Sequence, residues 1–345
     1  MLAATIHSLG GPDAVSVEDV ARPRAEGPED VVVALRAAAL NRLDLFVVRG
    51  LPGVPARLPH VLGADGAGVV EAVGEAVTRV KPGDRVLLNP GVWCGRCAYC
   101  LAGEQSLCTT YRLLGEHLPG TFAEAVRVPQ ANVEPVPEGV GWADAAAFPL
   151  VHLTAWRMLV TRAAVRPGET VLIWGIGGGV ALAALRIAKL LGAVAIATSS
   201  SDAKLARARE LGADLALNHA AADVPRELRR MLGGRGVDVV VDSVGEATWE
   251  RSTRLLAPGG RLVTCGATTG PRVVTDVRRL FWYHHTIMGS TMGNAREFTE
   301  IVRLLGSGAL RPVVDGVVPL TDVRRALERM AAGAPFGKQV LEIAA

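Results

Sequence analysis

The stretch TVLIWGIGGGVALAALRIAKLLGA, residues 170–193, decides the fold. Its beginning (170–175) is mostly apolar and typical of a buried strand, and residues 181–192 are typical of a helix. Glycines between the two allow a tight turn and a close approach of the backbone to a pyrophosphate, which the helix N-terminus attracts. The spacing fits G-x-x-G-x-x-A, with Gly175, Gly178 and Ala181, better than G-x-G-x-x-G. With a strand before it and a helix after it, the motif predicts a dinucleotide site.

The alternation of strands and helices continues after this motif. Further strand-like segments follow at 194–199, 214–218, 237–245, 261–267 and 286–293. Such alternation predicts βαβ units and a doubly wound parallel sheet, a Rossmann domain. Short strands broken by Gly and Pro before residue 150 predict instead a β-barrel domain. We therefore expect an α/β protein with a β domain at 1–150 and 292–345 and a coenzyme domain at 151–291.

Composition excludes several classes of protein. The 345 residues are 50% hydrophobic and carry a formal net charge of +3, which does not indicate a nucleic-acid partner. The N-terminal residues lack the pattern of a signal peptide, and the longest apolar run (171–185) is too short and too rich in glycine to span a membrane. Five cysteines, four of them clustered, do not resemble a disulfide framework. A cytoplasmic location is the expectation.

The four clustered cysteines predict a metal site. Cys94, Cys97, Cys100 and Cys108 have the spacing C-x2-C-x2-C-x7-C within a lobe at 90–112. Four thiolates in tetrahedral coordination are typical of a closed structural zinc, which leaves no position for substrate. The alternatives are an iron–sulfur cluster, which uses a similar run of cysteines, and a nucleic-acid zinc ribbon, which the scarcity of basic residues in the lobe disfavours.

The end of the strand 194–199 bears on the choice of nucleotide. Sites for NAD place an acid there to hold the ribose 2′-OH. Here Ser199 is followed by two more serines, and Lys204 is close by. Hydroxyls and a cation suit a 2′-phosphate, so the sequence favours NADP(H). The alternatives are that Asp202 reaches the ribose, or that the serines only cap the next helix.

These motifs, with four further segments, resemble one family over nearly the whole chain. The segments are ALNRLD (39–44), LGADGAGVVEAVG (62–74), FPLVHLTAW (148–156) and FGKQVL (336–341). The chain resembles the medium-chain dehydrogenase/reductases, which include zinc alcohol dehydrogenases and quinone oxidoreductases. The resemblance implies a GroES-like β domain, a Rossmann domain and hydride transfer, and it assigns the four cysteines to a structural zinc.

The departures from this family concern its second, catalytic zinc. The places of the three ligands are taken by Asn41, Ala64 and Leu150. A catalytic zinc needs three protein donors and an open position, which these side chains cannot supply. We expect one structural zinc and no catalytic zinc, as in the quinone oxidoreductase branch. A substitute metal site built from Asp44, His60, Asp65 and His152 is the alternative.

Without zinc, another group must stabilise the oxygen and supply a proton. The tyrosine that related quinone oxidoreductases offer is replaced by Phe46. Asn41 is a candidate through its side-chain NH2, Asp65 if burial raises its pKa, and His152 as a general acid. Asp44 belongs either to this set or to a local turn network. Water is a further proton source.

The resemblance also assigns cofactor contacts. They fall to Asn41 and Thr154; Gly175, Gly178, Gly179 and Val180; Ser199, Lys204 and His219; Ser243 and Val244; Cys265, Gly266 and Ala267; Ser290, Thr291 and Met292; and Lys338. Residues 175–180 match the pyrophosphate loop, Cys265 is expected to pack rather than to react, and Lys338 is expected to reach the cofactor phosphates.

The leading functional hypothesis is an NADPH-dependent reductase of a quinone, enone or aldehyde that works without catalytic zinc. The alternatives are an alcohol dehydrogenase with a non-standard metal site and an NADPH-binding protein without turnover. The family commonly pairs Rossmann sheets edge to edge, and the segment 286–293 is the candidate edge strand. A homodimer or homotetramer with a small-molecule carbonyl or quinone substrate is therefore expected.

Overall fold

A computed structural model describes residues 1–51, 53 and 57–344. The chain divides into two compact units, of which unit 1 comprises Met1–Leu150 and Gly293–Ala345, and unit 2 comprises Val151–Met292. The sequence had placed Met292 with the first domain. The structure corrects this by one residue, because Met292 lies in unit 2 and its sulfur accepts a hydrogen bond from the Thr154 hydroxyl at 3.6 Å.

The N-terminal half of the chain consists mainly of short strands, as its Gly and Pro content predicts. In chain order the elements are β1 (Leu2–Ile6), β2 (Val15–Asp19), β3 (Asp30–Ala39), α1 (Arg42–Arg49), β4 (His60–Val61), β5 (Asp65–Val73), β6 (Arg85–Leu88), β7 (Gly91–Val92), α2 (Ala98–Leu101), β8 (Arg112–Leu113), β9 (Ala125–Pro129), β10 (Val133–Pro135), α3 (Trp142–Ala147) and α4 (Pro149–Trp156).

In unit 2, strands and helices alternate. The elements are β11 (Thr170–Ile173), α5 (Gly179–Leu190), β12 (Val194–Ser199), α6 (Asp202–Glu210), β13 (Leu215–Asn218), α7 (Val224–Met231), β14 (Val237–Asp242), α8 (Glu246–Leu255), β15 (Leu256–Thr264), α9 (Val277–Trp282) and β16 (Thr286–Gly289). The chain then returns to unit 1 with α10 (Ala295–Gly306), β17 (Val314–Pro319), α11 (Val323–Ala331) and β18 (Lys338–Glu342).

Strand β3 organises the main sheet of unit 1, whose order is β10-β6-β5-β3-β18-β17 with β9 also paired to β3. Its partners β5, β9 and β18 are all antiparallel to it. At its end, Ala39 lies opposite Asp65 of β5 and Val340 of β18. Two strands distant in sequence therefore flank the last residues of β3, and this juxtaposition builds the buried cluster described below.

The sheet of unit 2 has the order β13-β12-β11-β14-β15-β16, and every neighbouring pair is parallel. Its central strand β11 is buried at every position, as expected for a parallel sheet covered by helices. The predicted α/β architecture, with a β domain and a parallel sheet of the Rossmann type, is confirmed. Strand β16 lies at the edge of the sheet, as the sequence predicted.

The helices of the described residues offer no membrane span, since none combines sufficient length with sufficient apolar character.

Candidate active site

The glycine-rich loop of unit 2 joins β11 to α5. Gly175 has a φ of 68° and Gly177 a φ of 121°, a backbone region that side chains disfavour. Gly178 precedes the first turn of α5, which begins at Gly179 and includes Val180. Unpaired N–H groups of that turn and the helix dipole form a site for a phosphate. The sequence argument had preferred Gly178 to Gly177, and the positive φ explains why residue 177 is also a glycine.

The side chain of Lys204 lies over this loop. A β-carbon placed on Gly177 would lie 3.0 Å from Cδ and 3.4 Å from Nζ of Lys204. The ammonium therefore stands beside the loop that would hold phosphates. A side chain at 177 would require the flexible end of Lys204 to shift by a few tenths of an ångström, in addition to adopting the positive φ.

The strand end next to this lysine is polar, and the first acid after it is Asp202. The Ser199 hydroxyl accepts a hydrogen bond from the Ser201 amide at 3.1 Å, and Ser201 caps α6 by accepting from the Lys204 amide at 3.4 Å. Asp202 accepts from the Asn218 side chain at 2.8 Å. The helix-capping alternative thus applies to Ser201. One oxygen of the exposed Asp202 carboxylate accepts from β13, and a contact of this residue with the ribose stays the alternative prediction.

His219 follows β13 and lies near the same end of the sheet. Its ring centroid is 6.1 Å from that of Trp174, and the Arg251 guanidinium lies 5.7 Å from the Trp174 ring. Burial, and secondly the charge of Arg251, lower the pKa of His219. The imidazole is therefore neutral near pH 7. A neutral ring is suited to stacking against an adenine or ribose and less suited to pairing with a charged group.

The other predicted cofactor residues follow the carboxyl ends of the parallel strands. They are Ser243 and Val244 after β14, Cys265, Gly266 and Ala267 after β15, and Ser290, Thr291 and Met292 after β16. Such strand ends form the nucleotide-binding edge of a doubly wound sheet. Burial raises the pKa of the Cys265 thiol to about 12, which disfavours a thiolate nucleophile.

A second group of predicted residues forms a buried polar cluster in unit 1, made of Asn41, Asp44, Asp65 and Lys338. All four are at most 5% exposed. The Lys338 Nζ donates to Asp65 Oδ2 at 2.9 Å and to Asn41 Oδ1. The ion pair is buried on both sides, with side chains 4% and 0% exposed. Strand pairing explains the contact, because β5 and β18 lie on either side of the end of β3.

This contact corrects the prediction for Lys338. The expectation was a cationic side chain that reaches the cofactor phosphates. In the structure the ammonium is bonded to a buried carboxylate and a buried amide of its own unit. Breaking a buried ion pair costs roughly 3–5 kcal/mol, because it leaves a charge unpaired. The structure therefore gives Lys338 a place in the cluster rather than at the phosphates.

The side-chain amide of Asn41 also has hydrogen-bond partners for both of its hydrogens and for its oxygen. Its Nδ2 donates to Asp65 Oδ2 at 2.9 Å and to the Ala39 carbonyl at 3.3 Å, while its Oδ1 accepts from Lys338. The orientation is unambiguous, since an ammonium only donates and a carboxylate only accepts. The prediction that the NH2 group of Asn41 hydrogen-bonds a substrate carbonyl is thus wrong for this arrangement, because both of its hydrogens are used internally.

Asp65 acts as the acceptor of the cluster. Its Oδ2 accepts from Lys338 and Asn41, and its Oδ1 accepts from the Leu150 amide at 2.8 Å. Both oxygens are surrounded by donors, which is the environment of an ionised carboxylate. The expectation that Asp65 supplies a proton is replaced by a role as counter-ion.

Burial raises the pKa of the second carboxyl of the cluster, Asp44. Its Oδ2 accepts a hydrogen bond from the backbone N–H of Asn41 at 2.7 Å, which completes a capping box at the start of α1. Its Oδ1 makes no hydrogen bond of standard geometry among the described residues, although the backbone N–H of Gly63 interacts with the carboxyl and opposes the rise of its pKa. Desolvation raises the pKa of Asp44 to about 7, although the Asn41 amide and the charge of Lys338 oppose the shift. The turn network foreseen for Asp44 is present, together with a carboxyl that titrates near neutrality.

The two histidines of the substitute metal site lie in different elements. His60 is a buried residue of β4, and burial lowers its pKa. His152 is a buried residue of α4 in unit 2. Among the described residues, only the four cysteines bring three or more metal-ligating groups together. Asp44, His60 and Asp65 of unit 1 therefore do not form the substitute metal site.

The cysteine cluster has the geometry of a single-ion site. The four Sγ atoms lie within 4.8 Å of one another, and those of Cys94 and Cys100 are 4.0 Å apart. Tetrahedral coordination with Zn–S bonds of about 2.3 Å places sulfur atoms about 3.8 Å apart. The Cys94 amide donates to Cys108 Sγ at 3.3 Å, and the Cys97 amide to Cys94 Sγ at 3.4 Å, contacts that favour thiolates.

Segments in both units match family models of known dehydrogenases. Residues 27–138 match the family model "Alcohol dehydrogenase GroES-like domain", and residues 179–307 match "Zinc-binding dehydrogenase". An alcohol dehydrogenase of Geobacillus stearothermophilus is 30% identical over 99% of this chain and 100% of its own. The chain belongs to the medium-chain dehydrogenase/reductase family.

Two further relatives show the range of this family around the chain. A quinone oxidoreductase of Pseudomonas aeruginosa is 32% identical over 97% of both chains. A crystal structure named as an NAD-dependent alcohol dehydrogenase is 45% identical, covers 100% of both chains and superposes with a TM-score of 0.95. The chain is thus an oxidoreductase of the medium-chain dehydrogenase/reductase type.

Within this family, the three catalytic-zinc places can now be described. Asn41 is engaged by Asp65 and Lys338, Ala64 is fully buried and apolar, and Leu150 contributes only its amide to Asp65. These residues do not fit a zinc ion, and an ammonium is hydrogen-bonded to the side chain at one of the places. The sequence named Asn41, Asp65 and Lys338 separately as candidates but gave no signal that they contact one another.

Proposed function

We propose that the protein is an NADP(H)-dependent oxidoreductase that transfers hydride to a quinone, enone or aldehyde without a catalytic zinc. The observation that carries the proposal is the ion pair of Lys338 with Asp65, joined to Asn41. It replaces the donor set of a catalytic zinc by a cluster whose charges are already balanced. When bound, the nicotinamide supplies a hydride and accepts one in the reverse reaction.

We assign the cysteine site to one structural zinc. Four convergent sulfur atoms separated by less than 4.8 Å suit one ion better than a multi-iron cluster. A closed set of four thiolates leaves no position for water or substrate, so the ion would stabilise the lobe and take no part in hydride transfer.

The proposal for NADP(H) rests on Lys204 beside the glycine loop and on the serine hydroxyls at the end of β12. The name of the 45% identical structure, which specifies NAD, argues in the other direction. Direct measurement on a variant of this chain decides between the two nucleotides.

Replacing Lys204 by alanine is expected to raise the Kd for NADPH roughly 10- to 100-fold, the effect of losing a charged hydrogen bond. Nucleotide fluorescence titration measures it. The Kd for NADH should stay within about threefold, because NADH has no 2′-phosphate for the lysine to contact. Lys81→Ala, which removes an exposed lysine of unit 1, is the matched control. An equal loss for both nucleotides would place Lys204 on the pyrophosphate and remove the basis for NADP(H).

The metal assignment is tested with the same enzyme. Purified protein should contain about one zinc per chain, and NADPH oxidation with benzaldehyde, 2-cyclohexenone or 1,4-benzoquinone should persist after brief treatment with a chelator. About two zinc ions per chain, with activity lost on chelation and restored by zinc, would favour an alcohol dehydrogenase with a non-standard metal site. Tight NADPH binding without any turnover would favour a non-catalytic protein.

We further propose that copies associate through the edge of the unit 2 sheet. Strand β16 lies at that edge, and the preceding helix α9 exposes Val277, Phe281 and Trp282 at 63%, 63% and 72%. Exposed apolar side chains beside an open edge are typical of an interface. Light scattering should give the mass of a dimer or tetramer, and Trp282→Glu should reduce it, whereas a monomeric wild type would contradict the proposal.

A further inference from the structure

The buried cluster of unit 1 contains one donor hydrogen that has no acceptor in the described part of the chain. Both hydrogens of the Asn41 amide are used, and Asp65 only accepts. The Lys338 ammonium has three hydrogens, of which one goes to Asn41 Oδ1 and one to Asp65 Oδ2. Among the described residues no acceptor receives the third. A buried donor left unsatisfied costs free energy, so it marks a place where a ligand oxygen would be stabilised.

The position of this donor is fixed by its neighbours. Asp65 and Asn41 hold Nζ from two directions, and the Leu150 amide and the strand pairing of β3 hold Asp65 in turn. A donor held in this way needs little reorganisation when charge develops on an oxygen beside it, which is the requirement for electrostatic stabilisation of a transition state.

The charge of the cluster suits the same task. Asp65 balances the ammonium, and the raised pKa of Asp44 leaves a second carboxyl largely uncharged below neutral pH. An oxygen that becomes negative near Nζ is therefore repelled by a single carboxylate, Asp65, whose charge is already neutralised by the ammonium. In a site of low dielectric constant the attraction between the ammonium and the new charge is strong.

We propose that Lys338 is a catalytic residue whose ammonium donates its third hydrogen to the carbonyl oxygen of the substrate, in place of a metal Lewis acid. The inference rests on the proposed function, and it specifies the substrate class: a compound whose negative charge develops on oxygen during reduction.

The step balances as a two-electron reduction. The carbonyl carbon gains a hydride from the reduced nicotinamide, and the π pair of the C=O bond moves onto oxygen. The oxygen takes a proton from Nζ, and the resulting amine regains one proton from solvent. One hydride and one proton are thus consumed for each carbonyl reduced, and the lysine is returned to its ammonium form.

The test compares wild type with Lys338→Met in the full-length enzyme, using NADPH and the best substrate of the three carbonyl compounds named above. The expected result is a fall in kcat of about 100- to 1,000-fold, the effect of removing one oxyanion donor. The Kd for NADPH should stay within about twofold, since binding to unit 2 does not involve Lys338. Lys81→Gln serves as the control for loss of a lysine charge.

A second variant separates catalysis from folding. Lys338→Met leaves Asp65 buried without a counter-ion, which lowers stability. The double variant Lys338→Met/Asp65→Asn removes both charges and should regain most of the lost melting temperature while kcat stays low. Recovery of kcat together with stability would mean that Lys338 only supports the fold, and would overturn the inference.

A spectroscopic measurement needs no turnover. With NADP⁺ present, the carbonyl stretch of bound ¹³C=O-labelled benzaldehyde should lie at lower frequency in wild type than in the double variant, because donation from the ammonium weakens the C=O bond. Equal frequencies would overturn the inference alone. Absence of NADPH oxidation by wild type with every substrate would overturn the proposed function, and this inference with it.

Discussion

Replacing Cys97 by serine is expected to reduce bound zinc well below one ion per chain and to lower the melting temperature by roughly 5–10 °C. The four sulfur atoms converge on one point, so the loss of one thiolate removes a quarter of the coordination shell. The lobe has little else to hold it, since its helix α2 has only four residues and β7 and β8 have two each. Differential scanning fluorimetry and metal analysis measure the two effects.

The chemical step should change much less than the stability. A closed thiolate site offers no open position to a substrate, so the protein that stays folded should retain most of its kcat. Cys265→Ser is the matched control for metal content, because it removes the remaining cysteine, which lies in unit 2. An unchanged melting temperature together with lost turnover would show that the metal takes part in catalysis.

Asp44→Asn is expected to stabilise the protein above pH 7 by as much as about 4 kcal/mol. The pKa of Asp44 is about 7 in the folded protein and ordinarily 3.8. Between these values the folded state keeps a proton that the unfolded state has released. The free energy of unfolding therefore falls as pH rises from about 4 to 7, by about 1.4 kcal/mol for each pH unit. Asparagine has no charge to desolvate and avoids this loss.

Urea unfolding of the wild type and Asp44→Asn at pH 5 and pH 8 measures the effect. The variant should already be more stable than wild type by about 1–2 kcal/mol at pH 5, where the unfolded chain has released the proton, and the difference should be largest at pH 8. Glu75→Gln, which removes an exposed carboxylate, should show no comparable dependence on pH. A variant that is less stable than wild type at pH 8 would show that the ionised carboxylate contributes favourable contacts that outweigh its desolvation.

Much of the fold follows from local sequence pattern. The segment 194–199 was predicted as a strand and β12 has those bounds, because a β-branched and apolar run between turn signals is a local property. The glycine loop lies between a strand and a helix, β11 and α5, as the same local pattern predicts. Gly177 was undervalued because a match to a spacing motif does not show which φ is positive, and this depends on the path of the backbone.

The buried cluster could not be predicted in this way. The ion pair joins residues 273 positions apart, and the contact exists because β5 and β18 both pair with β3. The sequence identified Asn41, Asp65 and Lys338 as candidates but assigned their hydrogen bonds to substrate and cofactor. The pairing of strands, which is not visible in a local pattern, turns these bonds inward and leaves one hydrogen of the lysine without an acceptor among the residues that the structure describes.

The pairing of β3 with β18 also means that the sheet of unit 1 cannot be completed until nearly the whole chain has been synthesised. Ala39 and its partner Val340 are 340 − 39 = 301 positions apart, so at 5–20 residues per second the ribosome needs roughly 15–60 s to supply the second strand after the first. During that interval β3 and β5 can pair, yet Asp65 has no lysine to neutralise it and one side of the sheet is open. During synthesis, unit 2 can therefore be complete while unit 1 still lacks its C-terminal strands. In that period unit 1 is exposed to chaperones and proteases.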